Sequence, residues 1–271
     1  MLTRLRLPSL PVYAAILVAL LISSAWSLTL AQEEPSATTV PIAGPADDAE
    51  EFLGGSPEDP NRWPEGYTYT GSSDLELGRD PDHGPQVVGL RFADVPLGPG
   101  ATIERAFIRF TADSPQEGPV RVRIAVATGQ AAEPFAQDPD GSGGFGLTSR
   151  ATLAGAVEWE PEAWSAGSDY DTPDLAALVQ QALSAPDWQP GGALVFILTP
   201  LDPQPEAFRS AYSYDSSPAQ APRLVIEGSV GEVAPESVPA PEPEPEPTEP
   251  APVEPAPAEP APVEPAPVEP A

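Results

Sequence analysis

Apolar and polar residues alternate along several short segments of the chain. Residues 88–92, 106–111 and 120–127 each place an apolar side chain at every second position. Side chains of a β-strand point alternately to its two faces, so this period predicts strands with one face in a core. Further strands are predicted at residues 153–159, 193–199, 210–214 and 223–227. The segment ALVFILT is apolar on both faces, which predicts a central strand of a sheet.

The segment SSDLELG (72–78) carries two carboxylates on the face opposite its leucines. Leu75 and Leu77 suit a core. Asp74 and Glu76 either face solvent, pair with arginines of neighbouring strands or bind an ion.

One segment, DTPDLAALVQQAL, has the period of an α-helix. Its apolar residues form one stripe: Leu175, Leu178, Val179, Ala182 and Leu183. Thr172 is expected to cap this helix, with Pro173 at the first helical position and Asp174 facing the helix dipole. Many short strands with a single helix predict an all-β fold, a two-sheet antiparallel β-sandwich of jelly-roll type with one short inserted helix.

The composition is strongly acidic. The 271 residues carry a formal net charge of −29, and they include no cysteine and one histidine. Such a surface repels phosphate backbones, which predicts no nucleic-acid partner, and it attracts divalent cations. Without cysteine, the domain has no disulfides, so its stability must come from its core or from bound ions.

The N-terminal segment has the features of an export signal. Arg4 and Arg6 precede an apolar run at residues 12–22, and small residues follow, which predicts a secretory signal peptide over residues 1–31. The alternative is an uncleaved anchor, because residues 11–31 are long enough to span a bilayer. Both alternatives predict a secreted, extracellular or cell-surface location, with membrane contact only through an uncleaved N-terminal segment.

The C-terminal residues 229–271 are rich in proline, and glutamate is the only charged residue from Val233 onward. Proline at this density prevents helix and sheet, so we predict a disordered acidic Pro-rich tail. Residues 32–46 are predicted to be a linker. The β-sandwich domain is predicted over residues 47–228, a length sufficient for one sizeable core.

An ordered series of segments within residues 47–228 carries a resemblance to a known family. The series is DDAEE, SSDLELG, QVVGLRF, GATIERAFIRFTAD, WEPEAW, DTPDLAALVQQAL, ALVFILT and APRLVIEG. It resembles an exported bacterial jelly-roll accessory domain, similar to the DNRLRE-type domains and, more distantly, to carbohydrate-binding modules. The resemblance implies a jelly roll and a non-catalytic role, and it implies no particular ligand.

Residues for catalysis are few. The one histidine, His83, lies in the turn-rich segment RDPDHGP, so no nucleophile and base pair is evident. The chain has neither cysteine ligands nor a helix-spaced histidine pair to bind zinc. The segment GSGGFG lacks the Gly-Lys-Ser/Thr ending of a phosphate-binding loop. The sequence therefore predicts that the protein is not an enzyme, although paired carboxylates of a glycosidase stay an alternative.

Calcium is the candidate cofactor, because it prefers six to eight oxygen ligands. The first candidate metal site requires that the first segment of the domain lies beside the strand of SSDLELG, and its carboxylates are Asp47, Asp48, Glu50, Asp74 and Glu76. The second uses alternate residues of DPDGSGG: Asp138, Asp140 and Ser142. The alternative for both is a solvated acidic loop.

The candidate ligand-binding residues lie on the polar faces of three successive predicted strands: Arg91, Phe107, Arg109, Arg121 and Arg123. Guanidinium groups suit the carboxylates of an acidic sugar polymer. The alternatives are cross-strand pairs with Asp74, Glu76 and Glu104, or strands divided between two sheets. Five aromatic residues either stack on sugar rings or pack inside the domain: Trp63, Tyr67, Tyr69, Tyr212 and Tyr214.

Together these features predict a non-catalytic, secreted or surface-tethered binding module of carbohydrate or adhesion type, for which calcium is the candidate stabilising ion. Its expected partner is an extracellular polysaccharide or another cell-surface component. One alternative is a structural cell-envelope protein that binds another protein, and a further alternative is a glycan-active enzyme.

Overall fold

Two antiparallel sheets stacked face to face form the framework of the described chain. The computed structural model describes residues 36–54, 63–138, 146–203 and 205–229. The predicted fold class, an all-β two-sheet sandwich with one short helix, is confirmed. The predicted signal peptide or anchor lies outside the described residues, as does the predicted tail apart from its first residue, Ser229, which ends the last strand.

The first sheet has four strands. In spatial order they are β1 (Ser36–Pro41), β12 (Arg223–Ser229), β6 (Thr102–Thr111) and β9 (Asp169–Asp171). Strand β1 lies in the segment predicted as a linker, and it pairs antiparallel with β12 from Ser36 and Gly228 to Pro41 and Arg223. The domain therefore begins before residue 47. The pairing joins the first strand of the domain to its last, so no local pattern indicated it.

The second sheet is larger. In spatial order its main strands are β11 (Arg209–Tyr212), β4 (Asp74–Asp80), β5 (Gly84–Val95), β10 (Gly192–Pro200), β7 (Val122–Ala127) and β8 (Val157–Trp159). Strand β2 (Asp48–Phe52) pairs with β5 and with β3 (Thr68–Tyr69). Strand β10, which contains ALVFILT, lies between β5 and β7, as its two apolar faces predicted.

The main core fills the space between the sheets, and its strands follow the predicted alternation. It includes Val88, Leu90 and Phe92 of β5, Ile108 and Phe110 of β6, and Val122, Ile124 and Val126 of β7. Leu75 and Leu77 of β4 are buried in the same core, as predicted. Burial of these apolar side chains is the main source of stability in a domain without disulfides.

A second, smaller core covers the outer face of the larger sheet. Val87, Val195 and Ile197 project there and contact Phe135 and Leu147. Gly89 lies beneath this cluster, where a β-carbon would stand 2.6 Å from Leu147 Cδ2. A side chain at this position would have to displace the ends of the Leu147 and Phe135 side chains, which pack directly against the strand backbone.

The helix α1 (Ala176–Leu183) is shorter than the pattern predicted, although its predicted apolar stripe is buried. Thr172 serves the strand β6 in place of a helix cap, whereas Asp174 serves both the strand and the helix. Thr172 Oγ1 accepts a hydrogen bond from Ile108 N, and Asp174 Oδ1 accepts one from Ala106 N, both at 3.0 Å. Asp174 Oδ1 also accepts a hydrogen bond from Ala176 N at 2.9 Å, so it supports the helix N-terminus as predicted, and only the Thr172 oxygen is given to the free edge of β6 alone. The helix packs against β6 and β7, which belong to different sheets.

Arg209 is buried at the start of β11, with 1 % of its surface exposed. Its guanidinium donates to five backbone carbonyls at 2.6–3.4 Å, those of Glu117, Gly118, Pro161, Glu162 and Phe208. Burial lowers the pKa of Arg209 from its ordinary value. Because carbonyl dipoles solvate the charge, one side chain fixes two loop segments to the end of the sheet.

Replacement of Arg209 tests this role. We expect Arg209→Met to lower the free energy of unfolding by roughly 3 kcal/mol, because several buried carbonyls lose their donor. Arg121→Met is the matched control, since that arginine side chain is 53 % exposed and should cost below about 1 kcal/mol. Urea unfolding of both variants measures the difference, and equal losses would contradict the assigned role.

Candidate functional site

Strand β2, with the sequence DAEEF, is buried at all five positions although three of them are carboxylic acids. Each carboxyl group accepts a hydrogen bond from the backbone of a distant segment. The three bonds run from Tyr214 N to Asp48 (2.7 Å), from Glu76 N to Glu50 (3.0 Å) and from Thr148 N to Glu51 (2.7 Å). These bonds fasten β2 to three parts of the chain that do not pair with it as strands.

Asp48 is the first of these buried acids. The pKa of Asp48 is raised to about 7, mainly by burial and also by the charges of Asp215 and Asp47, against the lowering effect of the Tyr214 N–H. Its neighbour Asp47 is neutralised differently, because Asp47 Oδ1 lies 2.6 Å from the guanidinium of Arg91. Two adjacent acids in the sequence therefore have opposite electrostatic surroundings.

Glu50 and Glu76 meet inside the fold, between β2 and β4. Their carboxyl groups hydrogen-bond each other, and Gln86 Nε2 donates to Glu50 Oε1 at 2.7 Å and to Glu76 Oε2 at 3.3 Å. Burial raises the pKa of both glutamates, and the charge of Asp74 raises both further. Two buried carboxylates this close need either a shared proton or a bound cation.

The structure brings together two of the five carboxylates of the first predicted calcium site. Glu50 and Glu76 converge, as the sequence led us to expect, whereas Asp47 binds Arg91 and Asp48 binds the Tyr214 N–H. Asp74 accepts a hydrogen bond from Ser210 Oγ at 2.9 Å. Within the described ranges, no group of three or more histidine, aspartate or glutamate residues is placed to hold a metal ion.

The second predicted calcium site is described only at its first residue. Asp138 is buried, and its backbone forms an isolated antiparallel bridge with Thr68 through hydrogen bonds of 3.0 and 3.1 Å. Asp140 and Ser142 lie outside the described residues. The calcium hypothesis for this loop stays a prediction.

The predicted ligand-binding arginines do not share one face. Arg91 and Arg123 lie on β5 and β7 of the larger sheet, whereas Phe107 and Arg109 lie on β6 of the smaller sheet, because the chain crosses between sheets after β5. Their carboxylate partners also differ from those expected. Arg109 binds both oxygens of Asp171 at 2.6 and 2.7 Å, which raises the pKa of Arg109, while Arg121 contacts Glu158 and Glu160. Phe107 is buried beneath Arg105 and Arg109.

The predicted sugar-stacking aromatics near β3 pack on one another. Trp63 stacks on His83 with 3.9 Å between ring centroids, and its centroid lies 4.4 Å from that of Tyr67. Phe52 and Tyr69 contact the edge of the same cluster. Because these neighbours cover the indole ring of Trp63, little of its face is left for a sugar. The cluster instead supports the β2–β3 pair. Tyr214 packs partly against the main core.

A groove of about 510 Å³ lies beside β2 and β3. Its lining residues are Glu51, Leu53, Glu65, Gly66, Asp138, Gly146, Thr148 and Ser149. Glu51 and Asp138 are buried at its floor, whereas Glu65, Thr148 and Ser149 are exposed. The Glu51 carboxylate accepts hydrogen bonds from both the backbone N and the hydroxyl of Thr148, so it fixes the wall of the groove that contains Thr148. Sequence reasoning identified only Asp138 among these residues, because the lining comes from segments far apart in the chain.

No family model matches the chain, and no curated protein shows significant sequence similarity to it. In the part of the chain that the structure describes, no helix is long and apolar enough to cross a membrane.

The buried acids of β2 and β4 predict a pH-dependent stability. Asp48, Glu50 and Glu76 have raised pKa values in the folded state, so the folded protein holds protons that the unfolded chain releases above about pH 4. The stability that these bound protons contribute is fully present below the ordinary carboxyl pKa of about 4. It is lost as the pH rises through the raised pKa values of the folded state. With a chelator present, we expect the melting temperature to fall between about pH 5 and about pH 8. A melting temperature that is constant or rises over this interval would contradict the assignment.

Calcium offers the Glu50–Glu76 pair a second way to offset its charge. We expect added calcium at about pH 8 to raise the melting temperature relative to chelator, since a cation would replace the shared proton. Glu76→Gln should remove that rise, and Asp138→Asn should keep it. Thermal melts of the three proteins measure this, and a rise that survives in Glu76→Gln but not in Asp138→Asn would move the ion to the Asp138 loop.

Proposed function

We propose that the chain is a non-catalytic, exported binding module that takes a polysaccharide or another cell-surface component in the groove beside β2. The observation that carries this proposal is the groove itself. Glu65, Thr148 and Ser149 are exposed along it, and Glu51 lies at its floor and holds the wall that contains Thr148. Export follows from the predicted N-terminal signal peptide. The resemblance to exported accessory domains supports the same function.

The chemistry of the groove favours a neutral or amino sugar. Carboxylate oxygens accept hydrogen bonds from sugar hydroxyls, and the hydroxyls of Thr148 and Ser149, which donate to Glu51 and to the Gly146 carbonyl, keep acceptor capacity for the same groups. Glu51, Glu65 and Asp138 give the groove a negative lining, which would repel uronic acids. An acidic polymer would need unpaired arginines on one face, and Arg91, Arg109 and Arg121 each contact a carboxylate.

A non-catalytic role agrees with the way the groove carboxylates are used. Glu51 is held by hydrogen bonds from Thr148. His83, the one histidine of the chain, stacks on Trp63 and is not among the lining residues of the groove. Proton transfer needs a positioned acid or base within hydrogen-bond reach of the substrate, and under this proposal the exposed Glu65 carboxylate acts as a hydrogen-bond acceptor for the ligand.

Binding to a panel of neutral, amino and acidic glycans tests the proposal. We expect the wild-type protein to bind neutral or amino glycans, and Glu65→Ala to weaken that binding at least about tenfold because an exposed acceptor is lost. Glu104→Ala, on the other sheet, is the matched control and should bind as the wild type does. Arg109→Ala and Arg121→Ala should also leave this binding unchanged.

Two outcomes would contradict the proposal. Binding confined to acidic glycans and lost in the arginine variants would return the ligand site to those arginines. No binding to any glycan would favour the alternative of a structural cell-envelope protein that recognises another protein.

A further inference from the structure

The first strand, β1, forms one edge of the smaller sheet and leaves its outer side free. Its inner side pairs with β12, and the hydrogen bond of 3.1 Å from Ile42 N to the Pro222 carbonyl continues that ladder. Alternate residues of an antiparallel strand bond to one neighbour, so the even-numbered residues from 36 to 42 bond to β12. The odd-numbered residues direct their backbone groups outward, and these are the exposed residues Ala37, Thr39 and Pro41.

The outward backbone groups of β1 are unpaired. Within the described ranges, neither Ala37 nor Thr39 has a partner for its N–H or its carbonyl on the outer side of the strand. The strand itself is firmly placed, because Val40 and the following Ile42 are buried in the main core. A row of free N–H and C=O groups on a fixed strand is a template for pairing with another strand.

The other outer strands are protected against such pairing. At β3, the backbone of Thr68 exchanges hydrogen bonds with that of Asp138, and at β11 the Ser210 carbonyl accepts one from Asp113 N at 3.0 Å. Strands β8 and β9 are three residues long, and both carry carboxylates that pair with arginines. Strand β1 has six residues, and its sequence SATTVP contains no charge. It is therefore the outer strand best suited to accept a further strand.

We propose that β1 pairs with β1 of a second copy of the chain across a two-fold axis, so that the two smaller sheets join at their edges. A two-fold axis through the sheet places the two strands antiparallel. With Thr39 on the axis, the Thr39 N–H donates to the carbonyl of the partner's Thr39, and the Ala37 N–H donates to that of the partner's Pro41. Each bond occurs twice by symmetry. Pro41 has no N–H, so the ladder ends there.

The charges beside β1 favour a second copy in this register. Glu227 of β12 lies opposite Ala37, and Arg223 lies opposite Pro41. Because Ala37 meets the partner's Pro41, Glu227 and the partner's Arg223 fall in one row across four strands, about 14 Å apart at a strand spacing of about 4.8 Å. Opposite charges thus lie in the same row on both sides of the axis, and only small side chains stand between them. Such complementarity favours this pairing over other contacts between two acidic chains.

The contact is small, so the dimer is expected to be weak. A pair of six-residue strands lies at the low end of interface sizes, which corresponds to a dissociation constant between about 10 µM and about 1 mM. The net charge of −29 on each chain opposes association, and salt screens that repulsion. We therefore expect the dimer to tighten as the salt concentration rises. The inference does not depend on ligand binding in the groove, which lies beside β2 and β3 of the larger sheet.

Sedimentation equilibrium of the exported protein tests the dimer. We expect the dimer fraction to rise between about 10 µM and about 1 mM protein, and to be larger in about 500 mM than in about 50 mM sodium chloride. Thr39→Pro removes the N–H on the axis, and Thr39→Glu places two carboxylates there. Both should weaken the dimer at least about tenfold. Thr152→Glu adds the same charge at an exposed position before β8, so it is the matched control and should associate as the wild type does.

Hydrogen exchange identifies the strand that pairs. In dilute protein, the Ala37 and Thr39 amides should exchange quickly and the Thr38 and Val40 amides slowly, because only the latter bond to β12. At about 1 mM, the Ala37 and Thr39 amides should become protected several-fold. This readout uses the wild-type chain, so it decides the question even if a Thr39 variant does not fold.

Three results would overturn the proposal. The first is a monomer at about 1 mM protein at both salt concentrations. The second is a dimer that persists in Thr39→Pro and in Thr39→Glu without protection of the Ala37 and Thr39 amides. The third is protection of these two amides only after another protein is added, which would assign the edge of β1 to a different partner.

Discussion

The structure depends on the burial of an acidic strand. Strand β2 carries Asp48, Glu50 and Glu51 at positions where almost no solvent reaches them, and each carboxyl group accepts a hydrogen bond from a distant backbone amide. Burying an unpaired carboxylate is costly, so these acceptors and donors must stay together. The strand thereby fixes the segments around Tyr214, Glu76 and Thr148 relative to one another.

Charged side chains here take over a task that disulfides perform in many exported domains. The chain has no cysteine, and its loops are held by polar contacts with the backbone. Glu51 accepts from the Thr148 segment, while Arg209 donates to carbonyls of two other loops. The charged groups of Glu51 and Arg209 are both buried, and each makes hydrogen bonds with backbone dipoles. Glu51 also fixes one wall of the groove that is proposed to bind the ligand.

The sequence predicts the parts of the fold that follow from local periodicity. Alternation located the core residues of β5, β6 and β7, and the doubly apolar segment at residues 193–199 indicated the central strand β10. The helical stripe predicted the buried face of α1. These predictions succeed because each depends only on which side chains must leave water.

The remaining features depend on partners that are far away in the sequence. Thr172 and Asp174 look like helix-capping residues, yet the open edge of β6 competes for their oxygens. The arginines looked like one surface because their strands are consecutive, and the crossing between sheets separates them. The convergence of Glu50 with Glu76 was expected only on the condition that their segments lie side by side. Gln86, which completes that contact, carries no local pattern that distinguishes it.

The exchange of backbone amide hydrogens tests the central claim most directly. If the carboxylates of β2 hold distant backbone segments, the amides of Glu76, Tyr214 and Thr148 should exchange as slowly as amides within the sheets. Glu50→Ala should speed exchange at the Glu76 amide much more than at the Thr148 amide, because the two amides donate to different carboxylates. Exchange at all three amides in the wild-type protein as fast as in exposed loops would contradict this account.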